Sequence, residues 1–174
     1  MIIVIAGVSG SGKSTVGPLV AGRLRWPYAD ADTFHPSDNI EKMRAVKPLD
    51  DADRVPWLWA IGEWIDQRIE AGQPGVATCS ALRRSYRDQL LADRDDDVSL
   101  VFLDVSPEVL IQRLASRPDH FFPDKLLNSQ LETLEKPSPA ERPGVRVINA
   151  DGDPNEVAAT IVAALWPYGD PGST

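Results

Sequence analysis

The sequence predicts an α/β fold of three layers, in which helices cover both faces of a mainly parallel, five-stranded sheet. Five short apolar runs alternate with amphipathic stretches, as repeated strand and helix units require. The first run, residues 2–6, is continuously apolar and mostly β-branched, which is typical of a strand buried on both faces. The 174 residues, 43% of them hydrophobic, suit one globular domain with a sizeable core.

The other elements follow in chain order. Hydrophobic spacing and helix-start signals predict further strands at 27–30, 76–79, 98–105 and 145–148, and helices at 13–25, 38–46, 53–72 and 83–92, then from 106, 124 and 153. We expect Ser37 and Asp53 to be N-caps of their helices, and Ser106 with Pro107 to open another. Pro18 is unusual, because it removes a backbone donor inside the first helix.

Composition excludes several classes of protein. Eighteen Lys and Arg against 26 Asp and Glu give a net charge of −8, so we expect no nucleic-acid partner. The single cysteine, Cys79, excludes a disulfide framework and a cysteine-based zinc cluster. No apolar run approaches the roughly 20 residues of a membrane helix, and the N-terminus lacks the basic region of a secretion signal. We therefore expect a cytoplasmic single domain, residues 1–166, with a frayed tail at 167–174.

A glycine-rich turn joins the first strand to the first helix. Residues 7–14, G-V-S-G-S-G-K-S, fit the phosphate-binding P-loop pattern G-x-x-x-x-G-K-[ST]. Its backbone N–H groups and the positive end of the helix dipole attract phosphate. A turn without a ligand is the alternative, but the flanking strand and helix favour a nucleoside triphosphate with Mg²⁺. The predicted phosphate ligands are Gly7, Ser9, Gly10, Ser11, Gly12, Lys13, Ser14 and Thr15, and Ser14 is also a predicted metal ligand.

Two aspartates, Asp30 and Asp32, follow the second strand, where the ligand crevice of an α/β sheet lies. One carboxylate could orient Mg²⁺ while the other accepts a proton from a substrate hydroxyl. The alternative is that both only form a turn, and their spacing does not decide between the two. The third strand ends T-C-S-A-L without an aspartate, which favours Asp30 as the carboxylate on the metal side.

Together these motifs resemble those of the bacterial-type gluconate kinases, within the P-loop small-molecule kinases. The likeness includes D-A-D-T-F-H-P at 30–36 and H-F-F-P at 120–123, and its more specific blocks are P-L-D-D-A-D-R-V-P-W-L at 48–58 and C-S-A-L-R-R-S-Y-R-D at 79–88. They occur in the family's order and extend over most of the chain. Two positions depart from the pattern: Val46 replaces a glycine before the P-L block, and Ala31 replaces the central glycine of D-G-D.

The resemblance implies an ATP-dependent kinase that phosphorylates the terminal hydroxyl of D-gluconate. It places Asp32 at that hydroxyl and Asp30 at the metal, and it makes Lys13, Asp32 and Arg117 catalytic. A lid at about 117–125 would close over ATP, with Arg113 and Arg117 binding its phosphates. The family also suggests a homodimer. The residues implied to contact gluconate are Asp32, His35, Arg54, Arg87 and His120.

Alternatives remain open for single residues and for the whole chain. Arg54 or Arg87 could grip a carboxylate bidentately, but a lone arginine is more often a surface ion pair. A histidine without context is more often structural than a ligand. A kinase for another small acid such as shikimate also needs aspartates and arginines here. A nucleotide-binding switch without substrate turnover would keep the P-loop alone.

Overall fold

The computed structural model of the chain describes residues 1–116, 124–138 and 140–166, and for 124–126 it describes the backbone only. Its centre is the predicted five-stranded parallel sheet, with strands in the order β2-β3-β1-β4-β5. The strands are β1 (Ile2–Ala6), β2 (Tyr28–Asp30), β3 (Gly75–Cys79), β4 (Val98–Asp104) and β5 (Val145–Asn149).

Seven helices and one short 3₁₀ turn connect the strands within the described residues. The turn spans Ala31–Phe34. The helices are α1 (Lys13–Leu24), α2 (Ser37–Arg44), α3 (Asp51–Glu70), α4 (Arg84–Leu91), α5 (Pro107–Ala115), α6 (Asp124–Thr133) and α7 (Pro154–Leu165). No helix in the described ranges has the length and apolarity that crossing a membrane demands.

Both faces of the sheet are covered, which explains the unbroken apolar sequence of β1. Ile2 and Val4 pack into a core beneath α3 and α4, whereas Ile3 and Ile5 pack into a second core beneath α1 and α7. Successive strand residues point to opposite faces, so every residue of β1 has to be apolar. The predicted three-layer arrangement is confirmed.

The candidate site residues lie at the carboxyl edge of the sheet. β1 ends at Ala6, immediately before the P-loop, and pairs Ala6 with Cys79 at the end of β3. Asp30 ends β2 and pairs with Thr78 of β3. Because parallel strands end at the same edge, the P-loop and the two aspartates become neighbours.

Two predicted helix caps are wrong. The side chain of Asp50, not Asp53, accepts the backbone N–H of Asp53, and the Asp53 carboxylate accepts the N–H of Asp50 in return. This reciprocal capping box needs a side-chain acceptor at both positions, and the two aspartates supply them. Ser37 is the first residue of α2 rather than its cap, and no side chain caps that helix. Pro18 is tolerated because it lies on the exposed face of α1, where water can reach the carbonyl of Ser14.

The end of α2 places a valine in a conformation that favours glycine. Val46 has φ 58°, and its N–H donates to Met43 O while the N–H of Lys47 donates to Lys42 O. These two bonds form a Schellman motif, and Val46 occupies the position at which glycine is preferred. A β-branched residue at positive φ is strained.

We expect Val46→Gly to raise the free energy of unfolding by about 1 kcal/mol, since relief of left-handed strain exceeds the entropy that glycine adds to the unfolded chain. Urea denaturation measures this as a higher midpoint at unchanged slope. Val46→Ala removes the β-branching but keeps a Cβ, so its gain should be smaller. A Val46→Gly variant no more stable than the parent protein would contradict the strain at this turn.

Candidate functional site

The P-loop has the backbone conformation of an anion cradle. Gly7, Gly10 and Gly12 have φ values of 148°, 83° and 97°. A Cβ at Gly7 would lie 2.6 Å from the hydroxyl oxygen of Ser11, so a larger residue there would fill the cradle. Gly12 precedes α1 without a capping side chain. The first turn of α1 therefore presents backbone N–H groups toward the loop, and such a helix start suits a bound anion.

Two side-chain contacts fix the P-loop in place. Lys13 Nζ donates to the carbonyl of Val8 across 2.9 Å, inside the turn. The N–H of Ser9 donates to Gln130 Oε1 of α6 across 2.7 Å. Gln130 could not be predicted as a P-loop contact, because one amide 121 residues away leaves no signal in the local sequence pattern.

Three cavities in the described part of the chain are lined by residues 9–14 of the P-loop. The central cavity, of about 260 Å³, is lined by Lys13, Ser14, Asp30 and Asp32 among others. The front cavity, of about 300 Å³, shares Ser9, Lys13 and Asp32 with it. The rear cavity, of about 180 Å³, shares Gly10 and Gly12 with the central one. Gly10 and Gly12 of the P-loop thus lie between the central and rear cavities. Lys13 and Asp32 lie where the front and central cavities meet.

Asp32 has the environment of a proton acceptor. Its side chain is open to the cavities, yet protein atoms surround it on most sides, and this partial burial raises the pKa of its carboxyl group. The negative charge of Asp30 raises the pKa further, whereas the charge of Lys13 lowers it. These effects bring the carboxylate closer to the basicity that proton transfer needs.

Asp30 is oriented by the strand beside it. Its Oδ1 accepts the N–H of Asp32 across 3.1 Å and the hydroxyl of Thr78 across 3.3 Å. The Tyr28 hydroxyl lies 3.1 Å from the same Thr78 oxygen. Asp30 and Ser14 line the central cavity together. A carboxylate and a hydroxyl are oxygen ligands that suit Mg²⁺, which also keeps several waters and phosphate oxygens.

His35 lies against the front cavity as a neutral ring. It stacks on Trp57, with ring centroids 4.4 Å apart and planes 11° apart, and its exposed fraction is 9%. Burial, followed by the positive charge of Arg54, lowers the pKa of His35 to about 4. The imidazole is therefore uncharged at neutral pH and can donate one hydrogen bond and accept another.

Arg54 reaches the front cavity from α3. Its Nη1 donates to the Tyr86 hydroxyl across 3.3 Å and lies 3.7 Å from Asp51 Oδ1, and Tyr86 itself donates to Asp51. Lys47 also lines this cavity, which the sequence analysis missed because only the turn after α2 brings it there. Arg54, Lys47 and Lys13 make the front cavity cationic around Asp32.

Arg87 does not line the front cavity. Its guanidinium is 1% exposed and binds Glu141 bidentately across 2.8 and 2.9 Å, while Nη1 also donates to the carbonyls of Ala81 and Leu82. Every guanidinium nitrogen is engaged within the protein, and the expected contact with gluconate stays a prediction. Arg87 braces the loop after β3, in which Ala81 has φ 41°.

Arg113 lies behind the P-loop, on α5. Its Nη2 donates to the carbonyls of Ala150, Asp151 and Gly152, and its Nη1 donates to Ser11 O across 3.4 Å. The side chain lines the rear cavity and is already engaged, so it fixes the P-loop against the loop after β5. Arg117, His120 and the expected lid apart from residues 124–125 lie outside the described residues, as does the tail at 167–174.

Cys79 lies at the end of β3 and lines the central cavity. Burial raises the pKa of its thiol to about 12. The thiol is therefore protonated at neutral pH, and Cys79 is a small buried residue, as expected from the sequence.

The model of the shikimate kinase family matches residues 9–166. A gluconokinase from Gluconobacter oxydans is 48% identical over 83% of this chain and 80% of its own length. A probable gluconokinase from Xenopus tropicalis is 43% identical over 92% of this chain and 91% of its own. The chain belongs to the gluconokinase family. A solved gluconokinase structure from Sinorhizobium meliloti agrees, with a TM-score of 0.83 and 42% identity over 95% of this chain and 91% of that one.

The two results describe different levels of one relationship. A solved shikimate kinase structure from Bacteroides thetaiotaomicron shares the fold, with a TM-score of 0.61 at 22% identity, whereas identities of 42–48% over most of the chain place it among the gluconokinases. Residues of the blocks at 48–58 and 79–88 line the front cavity together. Arg54 comes from the first block, and its partner Tyr86 comes from the second.

Proposed function

We propose that this chain transfers the γ-phosphoryl group of ATP to the terminal hydroxyl of D-gluconate, giving 6-phosphogluconate. The observation that carries the proposal is the position of Lys13 and Asp32, which line both the central and the front cavity. A phosphate donor in one cavity and a hydroxyl acceptor in the other would meet at these two side chains.

The central and rear cavities suit the nucleotide. The central cavity offers Lys13, the start of α1 and the glycine cradle for phosphates, and the rear cavity beyond Gly12 leaves room for the nucleoside. The Ser11 hydroxyl is buried and lacks a hydrogen-bond partner among the described residues, so the cradle retains an unused polar group. Ser14 and Asp30 would hold Mg²⁺, which supplies charge neutralisation to the phosphate oxygens.

The front cavity suits a sugar acid. Arg54 and Lys47 supply positive charge for one carboxylate, and Lys47 forms no ion pair among the described residues. The neutral imidazole of His35 and the hydroxyl of Ser80 can hydrogen-bond to a polyol. Trp57 forms an apolar wall under His35.

Asp32 and Lys13 have different roles in the reaction. Asp32 orients the terminal hydroxyl and accepts its proton, while the hydroxyl oxygen forms the new bond to the γ-phosphorus and the bond to the β,γ-bridging oxygen breaks, releasing ADP. Lys13 stabilises the charge that develops on the transferred group. The transition state of such transfers is loose, so positioning and electrostatics supply most of the rate enhancement.

The direct test is release of ADP with gluconate, with shikimate and without an acceptor. Gluconate-dependent release supports the proposal. Shikimate-dependent release would identify the other small-acid kinase, and nucleotide binding without release in any of the three would identify a switch.

A second test addresses the binding of the gluconate carboxylate by Arg54. Arg54→Lys keeps the charge but loses the planar fork and its contact with Tyr86. We expect the gluconate KM to rise about tenfold, the effect of one hydrogen bond to a charged group, with the ATP KM nearly unchanged. Arg84→Lys is the matched control, because Arg84 is exposed and lies outside the front cavity. An equal rise in the KM of both substrates would show that Arg54 does not bind the acceptor.

A further inference from the structure

We infer that Asn39 is a positioning residue of the front cavity, which holds His35 as the tautomer protonated at Nε2 and so makes the ring a hydrogen-bond donor to the acceptor. The role toward the acceptor rests on the proposed function. The tautomer itself does not, because it follows from contacts within the protein alone.

The hydrogen bonds of Asn39 determine which atoms donate. Its side-chain Nδ2 lies 2.7 Å from the carbonyl oxygen of Asp53 and 3.3 Å from Nδ1 of His35. A carbonyl can only accept, so the atom beside it must be the amide nitrogen. That nitrogen carries two hydrogens: one goes to Asp53 and the other is available to His35. Nδ1 of His35 is then an acceptor, and in a neutral ring the proton lies on Nε2.

The surroundings hold this arrangement rigidly. Asn39 is only 3% exposed, so an unpaired amide hydrogen there would be costly. Trp57 stacks on the imidazole and donates its own Nε1–H to Ala31 O across 2.7 Å. The ring of His35 is therefore fixed from α2, from α3 and from the turn after β2.

Burial, with a smaller contribution from the charge of Arg54, keeps the ring of His35 neutral. Arg54, Lys47, Lys13 and Asp32 line the same cavity, and the three cations outnumber the carboxylate. Burial and the charge of Arg54 lower the pKa of His35 to about 4. A neutral donor suits a hydroxyl of the acceptor, whereas Arg54 and Lys47 serve its carboxylate. The carboxylate of the sugar acid would then bind to positive charges, and one of its hydroxyls would accept a hydrogen bond from a neutral donor.

The tautomer can be measured in the parent protein without any substrate. The chain has two histidines, so a long-range ¹H–¹⁵N correlation spectrum is simple, and His120→Gln assigns it. We expect His35 to show a pyrrole-like Nε2 and a pyridine-like Nδ1, and to remain so from pH 5.5 to 8. A pyrrole-like Nδ1, or protonation of His35 in that range, overturns the inference whatever the enzyme phosphorylates.

The positioning role is tested by Asn39→Asp. A carboxylate can only accept, so it favours a proton on Nδ1 of His35 and stabilises the charged ring. We expect the gluconate KM to rise about tenfold, as for one lost hydrogen bond, and to become pH-dependent, while the ATP KM changes little. Asn155→Asp makes the same chemical change on an exposed residue of α7 and should leave both constants unaltered.

Two outcomes of the kinetic test count against the role of Asn39. An Asn39→Asp enzyme with the parent gluconate KM and pH profile would show that His35 does not donate to the acceptor. Equal loss of both substrates would indicate a structural role. If Asn39→Asp does not fold, His35→Gln replaces it, because glutamine keeps a donor near Nε2 and should retain more gluconate affinity than His35→Ala. Absence of gluconate turnover in the parent protein would refute the proposed function and leave the tautomer measurement intact.

Discussion

Asp32→Asn should lower kcat by about 10²–10⁴, the contribution of a general base. Asparagine has nearly the same shape and keeps an acceptor oxygen, so folding and ATP binding should survive. The amide cannot take the hydroxyl proton that Asp32 is placed to accept between the two cavities. If the proton leaves late in a loose transition state, the loss should be near the lower limit. Steady-state kinetics at saturating ATP and gluconate measure it.

Asp30→Asn is the matched variant, and its effect on activity should differ in kind from that of Asp32→Asn. The charge of Asp30 raises the pKa of Asp32, so its removal should lower that pKa and move the acidic limb of the rate profile to lower pH. Because Asp30 lines the central cavity with Ser14, its deficit should also diminish as Mg²⁺ is raised. An Asp30→Asn deficit that ignores magnesium, together with an Asp32→Asn deficit that magnesium corrects, would reverse the two assignments.

The sequence was sufficient for the features that depend on local pattern. Continuous apolar residues mark β1 because both sheet faces are covered, and G-V-S-G-S-G-K-S marks the P-loop because its glycines have positive φ. Asp30 and Asp32 could be placed at one edge because parallel strands end there. Their different environments could not be predicted, because they depend on residues that are distant in the sequence. Thr78 of the neighbouring strand donates to Asp30, and the charge of Lys13 acts on Asp32.

Features that depend on distant partners could not be predicted. The bidentate contact of Arg87 with Glu141 leaves no local signal, because Glu141 is 54 residues away in a proline-rich loop. Two aspartates three residues apart offer two possible caps for α3, and only the backbone shows that Asp50 precedes the helix. Lys47 reaches the front cavity only because Val46 adopts positive φ. In each case one residue's role depends on the conformation of another.

Lys13→Ala should lower kcat by at least about 10²–10³, the value of one preorganised group that stabilises transition-state charge. Lys13 is the cation at the junction of the two cavities, and its charge also lowers the pKa of Asp32. Its removal should therefore raise that pKa and move the acidic limb of the residual activity to higher pH, opposite to the shift in Asp30→Asn. Single-turnover rates across pH 5–8 measure both effects.

The controls for Lys13→Ala separate charge at the junction from charge in general. Lys136 pairs with Asp104 in an exposed salt bridge outside all three cavities, so Lys136→Ala should leave turnover near the parent value. Lys47→Ala removes a lysine from the front cavity alone and should raise the gluconate KM without weakening ATP binding. Urea denaturation checks that each variant is folded. Near-normal turnover in a folded Lys13→Ala enzyme would contradict phosphate binding at the P-loop, whereas a loss confined to the gluconate KM would place Lys13 with the acceptor instead of the phosphoryl group.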